Sequence, residues 1–201
     1  MQTHTKGWQK RRNRSWSGIP LYDRRRKRVA PRRVVLHQWG VTPGLGKWAR
    51  KRIASGATTE EQEYIARAQR APYHIAIGRD WHAQVWPLDL HTHHAGARNA
   101  ATIGIGALGE FPRFGRAPDF ERQLTAALRA LAANGPIHVE THSQSSRKAR
   151  DPGEWAIHAI APLVAEGLVT CDPDWSAGHG QPWPPAWRDA LALARCDGAL
   201  G

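Results

Sequence analysis

Short apolar runs, separated by polar helices and turns, most constrain what this chain can fold into. Arg33–Leu36 (RVVL), Tyr73–Ile77 (YHIAI), Ala101–Leu108 (ATIGIGAL) and Ile137–His142 (IHVETH) are each only four to eight residues long. Runs of that length bounded by turn signals read as buried strands. Ala83–Trp86 adds a further strand, joined to Tyr73–Ile77 by the turn Gly78-Arg79-Asp80-Trp81. Between them lie segments with helical periodicity. Thr58–Ala71 opens with a Thr58/Glu61 capping pattern and ends before Pro72. Asp119–Asn134 repeats Phe120, Leu124, Leu128 and Leu131 on one face, with Asp119 as its cap and Gly135 as its stop. A third helix follows Asp151-Pro152-Gly153 towards Leu168, kinked at Pro162. Strands alternating with helices predict an α/β domain with a central mixed β-sheet flanked by helices.

The charge is unevenly placed. Residues 1–33 hold 12 of the 29 Lys and Arg against one acid, Asp23, while residues 34–201 hold 17 basic and 16 acidic residues. A near-neutral body therefore follows a basic arm, and such an arm suits a polyanionic partner: anionic wall polymer, an acidic membrane surface or nucleic acid. The body carries no nucleic-acid motif, so nucleic acid is not expected as the main partner. Three segments are expected: an arm over 1–32, the α/β domain over 33–171, and a Pro/Gly/Trp-rich linker with a short last helix (Ala186–Arg195) over 172–201. Cys171 and Cys196 exclude a disulfide scaffold, have no metal-site spacing, and leave their pairing open. There is no apolar stretch of membrane-span length, and no apolar region follows the basic start as a signal peptide requires. The expectation is a protein that is cytoplasmic as made.

Clustered histidine is the chemical lead, because zinc sites draw on His, Cys and carboxylate ligands. Three groupings compete. His91, His93 and His94 lie in one short segment. His138, Glu140 and His142 share a strand face by alternation. His37, His142 and Asp151 are dispersed, but each stands at a strand end or helix-opening turn, where α/β domains place ligands. The residues alone leave these open.

Four stretches resemble, in order and spacing, the motifs of the N-acetylmuramoyl-L-alanine amidases. That family includes phage lysozyme-amidases, bacterial anhydro-muropeptide amidases and animal peptidoglycan-recognition proteins. The stretches are Val34-Val35-Leu36-His37, Tyr73-His74-Ile75-Ala76-Ile77-Gly78-Arg79-Asp80, His94-Ala95-Gly96 through Asn99 to Thr102-Ile103-Gly104-Ile105, and His142-Ser143-Gln144 through Lys148 to Asp151-Pro152-Gly153. Together they span about residues 33–168. The resemblance implies a peptidoglycan-recognition-protein-like fold and a Zn2+ ion on His37, His142 and Asp151. It further implies Tyr73 beside the metal, and His94, Asn99 and Thr102 facing the substrate, with His91 and His93 left to structural or rim roles. The implied reaction is hydrolysis of the amide between N-acetylmuramic acid and L-alanine in peptidoglycan or a muropeptide. The alternative is a binding module on the same fold that has lost catalysis.

Two positions depart from the family pattern. Ala149 stands where a lysine is usual, flanked by Lys148 and Arg150, either of which could stabilise the oxyanion. Gly106 stands where some bacterial members place a glutamate, and Glu140 is a possible substitute. Ten tryptophans are many for 201 residues. Trp39, Trp81, Trp86 and Trp183, near strand ends or loops, are candidates to stack on sugar rings, though indoles more often fill cores.

Overall fold

The computed structural model describes residues 2–3, 22–27, 32–38, 47–68, 71–95, 98–108, 115–148 and 150–198. Trp39, Gly96, Ala97, Ala149 and the side chain of Cys196 lie outside this description. The strands are β1 (Gln2–Thr3), β2 (Tyr22–Lys27), β3 (Arg33–Gln38), β4 (Ile75–Ile77), β5 (His82–Gln84), β6 (Leu90–Thr92), β7 (Ile103–Ala107), β8 (Ile137–Thr141) and β9 (Val169–Thr170). The helices are α1 (Lys47–Ala54), α2 (Glu60–Ala68), α3 (Pro118–Ala132), α4 (Glu154–Ala165) and α5 (Pro185–Gly198). Seven strands form one mixed sheet in the order β1-β5-β4-β7-β3-β8-β9, and β2 pairs with β6 in a separate two-stranded sheet. Among the described strands of the large sheet, only the pair β4 and β5 runs antiparallel, as the tight turn between them requires. The predicted α/β class with a mixed sheet is what the chain adopts.

Strand alternation gives the sheet two unlike faces. Val34, Leu36, Ile75, Ile77, Ile103, Ile105, Ile137 and Val139 point to one side and form the main core with α3, α4 and α5. The intervening positions point to the other side. There, the register sets His37 beside Gly106, Gly106 beside Ala76, and Val35 between Gly104 and Glu140. A smaller cluster of Ala68 from α2 with Ala76, Val85, Trp86, Leu90 and Leu108 closes one end. The remainder carries small and polar residues, and that is where a site can form.

Local signals shift by a residue or two. The capping box of α2 is Thr59 with Gln62: the Gln62 N–H donates to Thr59 Oγ1 (3.1 Å) and the Thr59 N–H to Gln62 Oε1 (3.1 Å). Asp119 does not cap α3. The helix begins with Pro118 after Ala117, and Glu121 reaches back to accept from the Ala117 N–H at 2.7 Å. Strand β8 ends at Thr141, one residue before His142, which begins a single 3-10 turn over His142–Gln144.

The chain after Cys171 packs on the domain. Trp183, Trp187 and Leu191 belong to the main core, and Trp183 donates its indole N–H to Thr141 Oγ1 at 3.1 Å. Two segments of the basic arm also lie in sheets, β1 parallel to β5 and β2 antiparallel to β6. Among the described residues, no helix is long and apolar enough to cross a membrane.

Candidate metal centre and active site

Three chain segments converge on this second face of the sheet. His37 is the penultimate residue of β3, and alternation after Leu36 turns it away from the helices. His142 opens the 3-10 turn, and Asp151 lies in the turn that leads into α4. Their ligating atoms all lie within 4.8 Å of one another, so the dispersed grouping comes together as a candidate metal site. One backbone and one side-chain contact fix the carboxylate. Asp151 Oδ1 accepts from the Gln38 N–H at 2.6 Å and Oδ2 from His142 Nδ1 at 2.8 Å. The Asp151 carbonyl accepts from the Ser143 N–H (3.0 Å), and the Trp155 indole N–H donates to Pro152 O (3.0 Å). The turn is thereby tied both to the His142 segment and to α4.

The chemistry of these donors fits a cation. His37 is buried, and its Nδ1 has no hydrogen-bond partner. A buried polar atom without a partner costs free energy unless something satisfies it. Burial holds the His37 imidazole well below its ordinary pKa, and His142, His94, Lys148 and His74 add to the effect. A metal ligand must be unprotonated, and His37 already is. Two imidazoles and one carboxylate are a donor set that suits zinc and leaves room for water.

Tyr73 lies against this group. Its ring centroid is 4.9 Å from that of His37, and His37 is 4.4 Å from His142. Burial, with the Asp151 charge adding to it, raises the Tyr73 phenol above its ordinary value, so it remains a hydrogen-bond donor. The ring rests on bare backbone: a Cβ on Gly106 would stand 2.1 Å from Tyr73 Cδ2. The position where a glutamate was sought is therefore filled by the tyrosine ring. Glu140 points elsewhere. It is buried and bound by Arg33 (3.0 Å) and by Arg98, which also stacks on Trp175 at 5.0 Å. Because β8 stops at Thr141, Glu140 and His142 do not share a strand face.

The other expected residues are dispersed around the centre. Lys148 is exposed, and its charge reaches His37. Arg150 is exposed, has a left-handed backbone (φ 62°), and lines a neighbouring groove of about 590 Å³ with Ser143, Gln181, Trp183 and Arg188. His94, expected to face substrate, is buried between strands: Nδ1 faces His37 Nε2 at 3.1 Å and Nε2 faces Thr102 O at 3.2 Å. Thr102 is buried, and Asn99 Oδ1 accepts from the Ala95 N–H at 2.6 Å. His91 is buried and His93 exposed, their rings 5.3 Å apart. Of the tryptophans, Trp86 and Trp183 are buried and Trp81 packs over Gly78. Sequence reasoning missed Gln38, whose side chain gives no hint of its backbone contact. It also missed Gly104 and Gly106 as beds for rings, although their alternation with Ile103 and Ile105 was a signal for that.

Comparisons with known proteins bear on the family and the fold. The family pattern described as N-acetylmuramoyl-L-alanine amidase matches residues 26–154, more than half of the chain. A comparison with curated proteins gives no match. Among solved structures, Drosophila peptidoglycan recognition protein PGRP-SA is similar over 82% of this chain and 95% of its own, with 18% identity and a TM-score of 0.51. Drosophila PGRP-LB is similar over 73% and 88%, with 15% identity and a TM-score of 0.51. An endolysin amidase from Clostridium intestinale, LysCS, aligns over 62% and 76% with 22% identity and a TM-score of 0.43. The two Drosophila proteins share the fold, and the family pattern covers β3, His37, His142 and Asp151 together: the chain belongs to the N-acetylmuramoyl-L-alanine amidase family.

Proposed function

We propose that this chain is a zinc-dependent amidase that cleaves the bond between the lactyl group of N-acetylmuramic acid and L-alanine of the stem peptide. The observation that carries the reading is the meeting of His37, His142 and Asp151, with a bare, buried His37 Nδ1 among them. His37, His142 and Asp151 would hold the zinc ion, which when bound would contribute Lewis acidity towards water and the scissile carbonyl. The chain's own groups do the rest. Gln38 and Ser143 hold Asp151 in place through backbone contacts. Tyr73, kept protonated, donates a hydrogen bond to the oxyanion of the tetrahedral intermediate. Lys148 adds positive charge on the solvent side, and Arg150 faces the neighbouring groove, where it can meet a carboxylate of the stem peptide.

A silent binding module on the same fold has no need of a complete donor set, and the intact His-His-Asp group favours the enzyme. The test is digestion of purified peptidoglycan by wild type, His142→Ala and Asp151→Ala. Wild type should release new L-alanine amino termini without new reducing sugar ends, and both variants should lose this activity. New reducing ends, or no cleavage by zinc-loaded wild type, would reject the reading.

A further inference from the structure

We propose that His94 is a positioning residue that sets the tautomer of His37, so that His37 presents an unprotonated Nδ1 to the metal. The argument follows hydrogen-bond direction from an atom that can only accept. Thr102 O is a backbone carbonyl, 3.2 Å from His94 Nε2. Thr102 Oγ1 lies 3.3 Å from the same nitrogen and gives its own proton to Arg98 O at 2.8 Å, so it too is left as an acceptor there. His94 therefore carries its proton on Nε2, and in the neutral ring Nδ1 is an acceptor. The group facing that Nδ1, at 3.1 Å, is His37 Nε2, which must be the donor. His37 is then protonated on Nε2 and bare on Nδ1, the atom without a hydrogen-bond partner. A ligating histidine whose other nitrogen donates to an oriented acceptor is held in one tautomer and one ring orientation. Here that acceptor is an imidazole, itself fixed by the strand that follows it.

The surroundings leave His94 little freedom. A Cβ on Gly104 would stand 2.7 Å from His94 Cγ, so the ring lies directly on strand β7. His74, 5.6 Å away, is fixed in the same manner: the Gly104 N–H donates to its Nδ1 (2.9 Å) and its Nε2 donates to Leu90 O (2.8 Å).

The role of this relay in metal binding rests on the zinc reading above, but the tautomer can be tested apart from it. In metal-free protein with 15N-labelled histidine, long-range 15N–1H correlation should show His37 as the Nε2–H form. A proton on Nδ1 would overturn the proposal, whether or not zinc binds. Zinc affinity, measured by competition with a chromophoric chelator, should fall about 10–100-fold in His94→Leu. It should recover largely in His94→Asn, whose Oδ1 can accept near the place of Nδ1. Equal affinity in wild type and His94→Leu, or no recovery with Asn, would also overturn it. If His94→Leu does not fold, the wild-type spectrum and the Asn variant still decide. If wild type binds no zinc, the metal reading fails and the spectrum alone judges the relay.

Discussion

Gly106 and Tyr73 make one unit at the residue scale. Tyr73→Phe removes the hydroxyl but leaves the ring on Gly106, so turnover should fall by about 100-fold, the usual cost of a lost oxyanion donor, while zinc stays bound. Unchanged turnover with zinc in place would remove Tyr73 from the mechanism. Gly106→Ala acts from below: its Cβ would meet Tyr73 Cδ2 at 2.1 Å, so the ring must move, and a similar loss is expected without any change in the ligands. His37 gives a pH signature. Its folded pKa lies well below the ordinary 6.5. Below about pH 6.5 the unfolded chain therefore takes up a proton that the folded chain refuses. Stability of the metal-free protein should fall as the pH drops through that range, until the folded His37 itself titrates. Urea titrations at pH 7 and pH 5 should show wild type losing more stability than His37→Gln. The residues of this centre were picked out by the family resemblance, since strand-end placement alone left three histidine groupings open. Their partners were not, since Asp151 is held by backbone N–H groups and His94 by a carbonyl, which no side-chain pattern reveals.

At the scale of elements, the segment after Cys171 behaves unlike its composition. Prolines, glycines and tryptophans without periodicity read as a linker. Yet backbone hydrogen bonds pin it to the 3-10 turn: the Ala177 N–H donates to Gln144 O and the Gln181 N–H to Ser143 O, both at 2.8 Å. Gln144 answers with its side-chain amide, donating to Asp172 O (2.7 Å) and Trp175 O (2.9 Å). The approach is so close that a Cβ on Gly180 would lie 1.9 Å from Gln144 O. The turn that carries His142 is thus braced from outside the family-matched region. Trp183→Ala should cost about 3–5 kcal/mol in urea denaturation, as expected for emptying a buried indole site. A change below 1 kcal/mol would mean that the segment only leans on the core. The strands β3, β4, β5, β7 and β8 and the long helices α3 and α4 were foreseen because apolar runs and helical periodicity report burial directly, whereas the short β1, β2, β6 and β9 were not. Caps slipped, from Thr58 to Thr59 and from Asp119 to Ala117, because neighbouring residues compete for the same N–H groups and only packing decides.

Over the whole molecule, charge and fold overlap in a way the sequence did not suggest. The first 33 residues hold 12 basic residues and one acid, and read as an appendage to a near-neutral body. The strand Tyr22–Lys27, with sequence YDRRRK, nevertheless pairs with Leu90–Thr92, close in sequence to His94. Part of the arm therefore belongs to the fold, and a deletion of residues 1–30 would remove two strands, β1 and β2, together with the charge. Substitution separates the two effects. Changing Arg24, Arg25 and Arg26 to Gln keeps the backbone pairing and lowers the charge by three. If the arm is an electrostatic tether, this variant should bind isolated cell walls more weakly at low ionic strength and should match wild type at high salt, where screening has already removed the attraction. Hydrolysis of a small soluble muropeptide should be unchanged. Sedimentation of walls across a salt series, alongside turnover of the soluble fragment, checks both. Equal wall binding at every salt concentration would assign these arginines to the fold alone, and loss of fragment turnover would place β2 within the catalytic structure, not beside it.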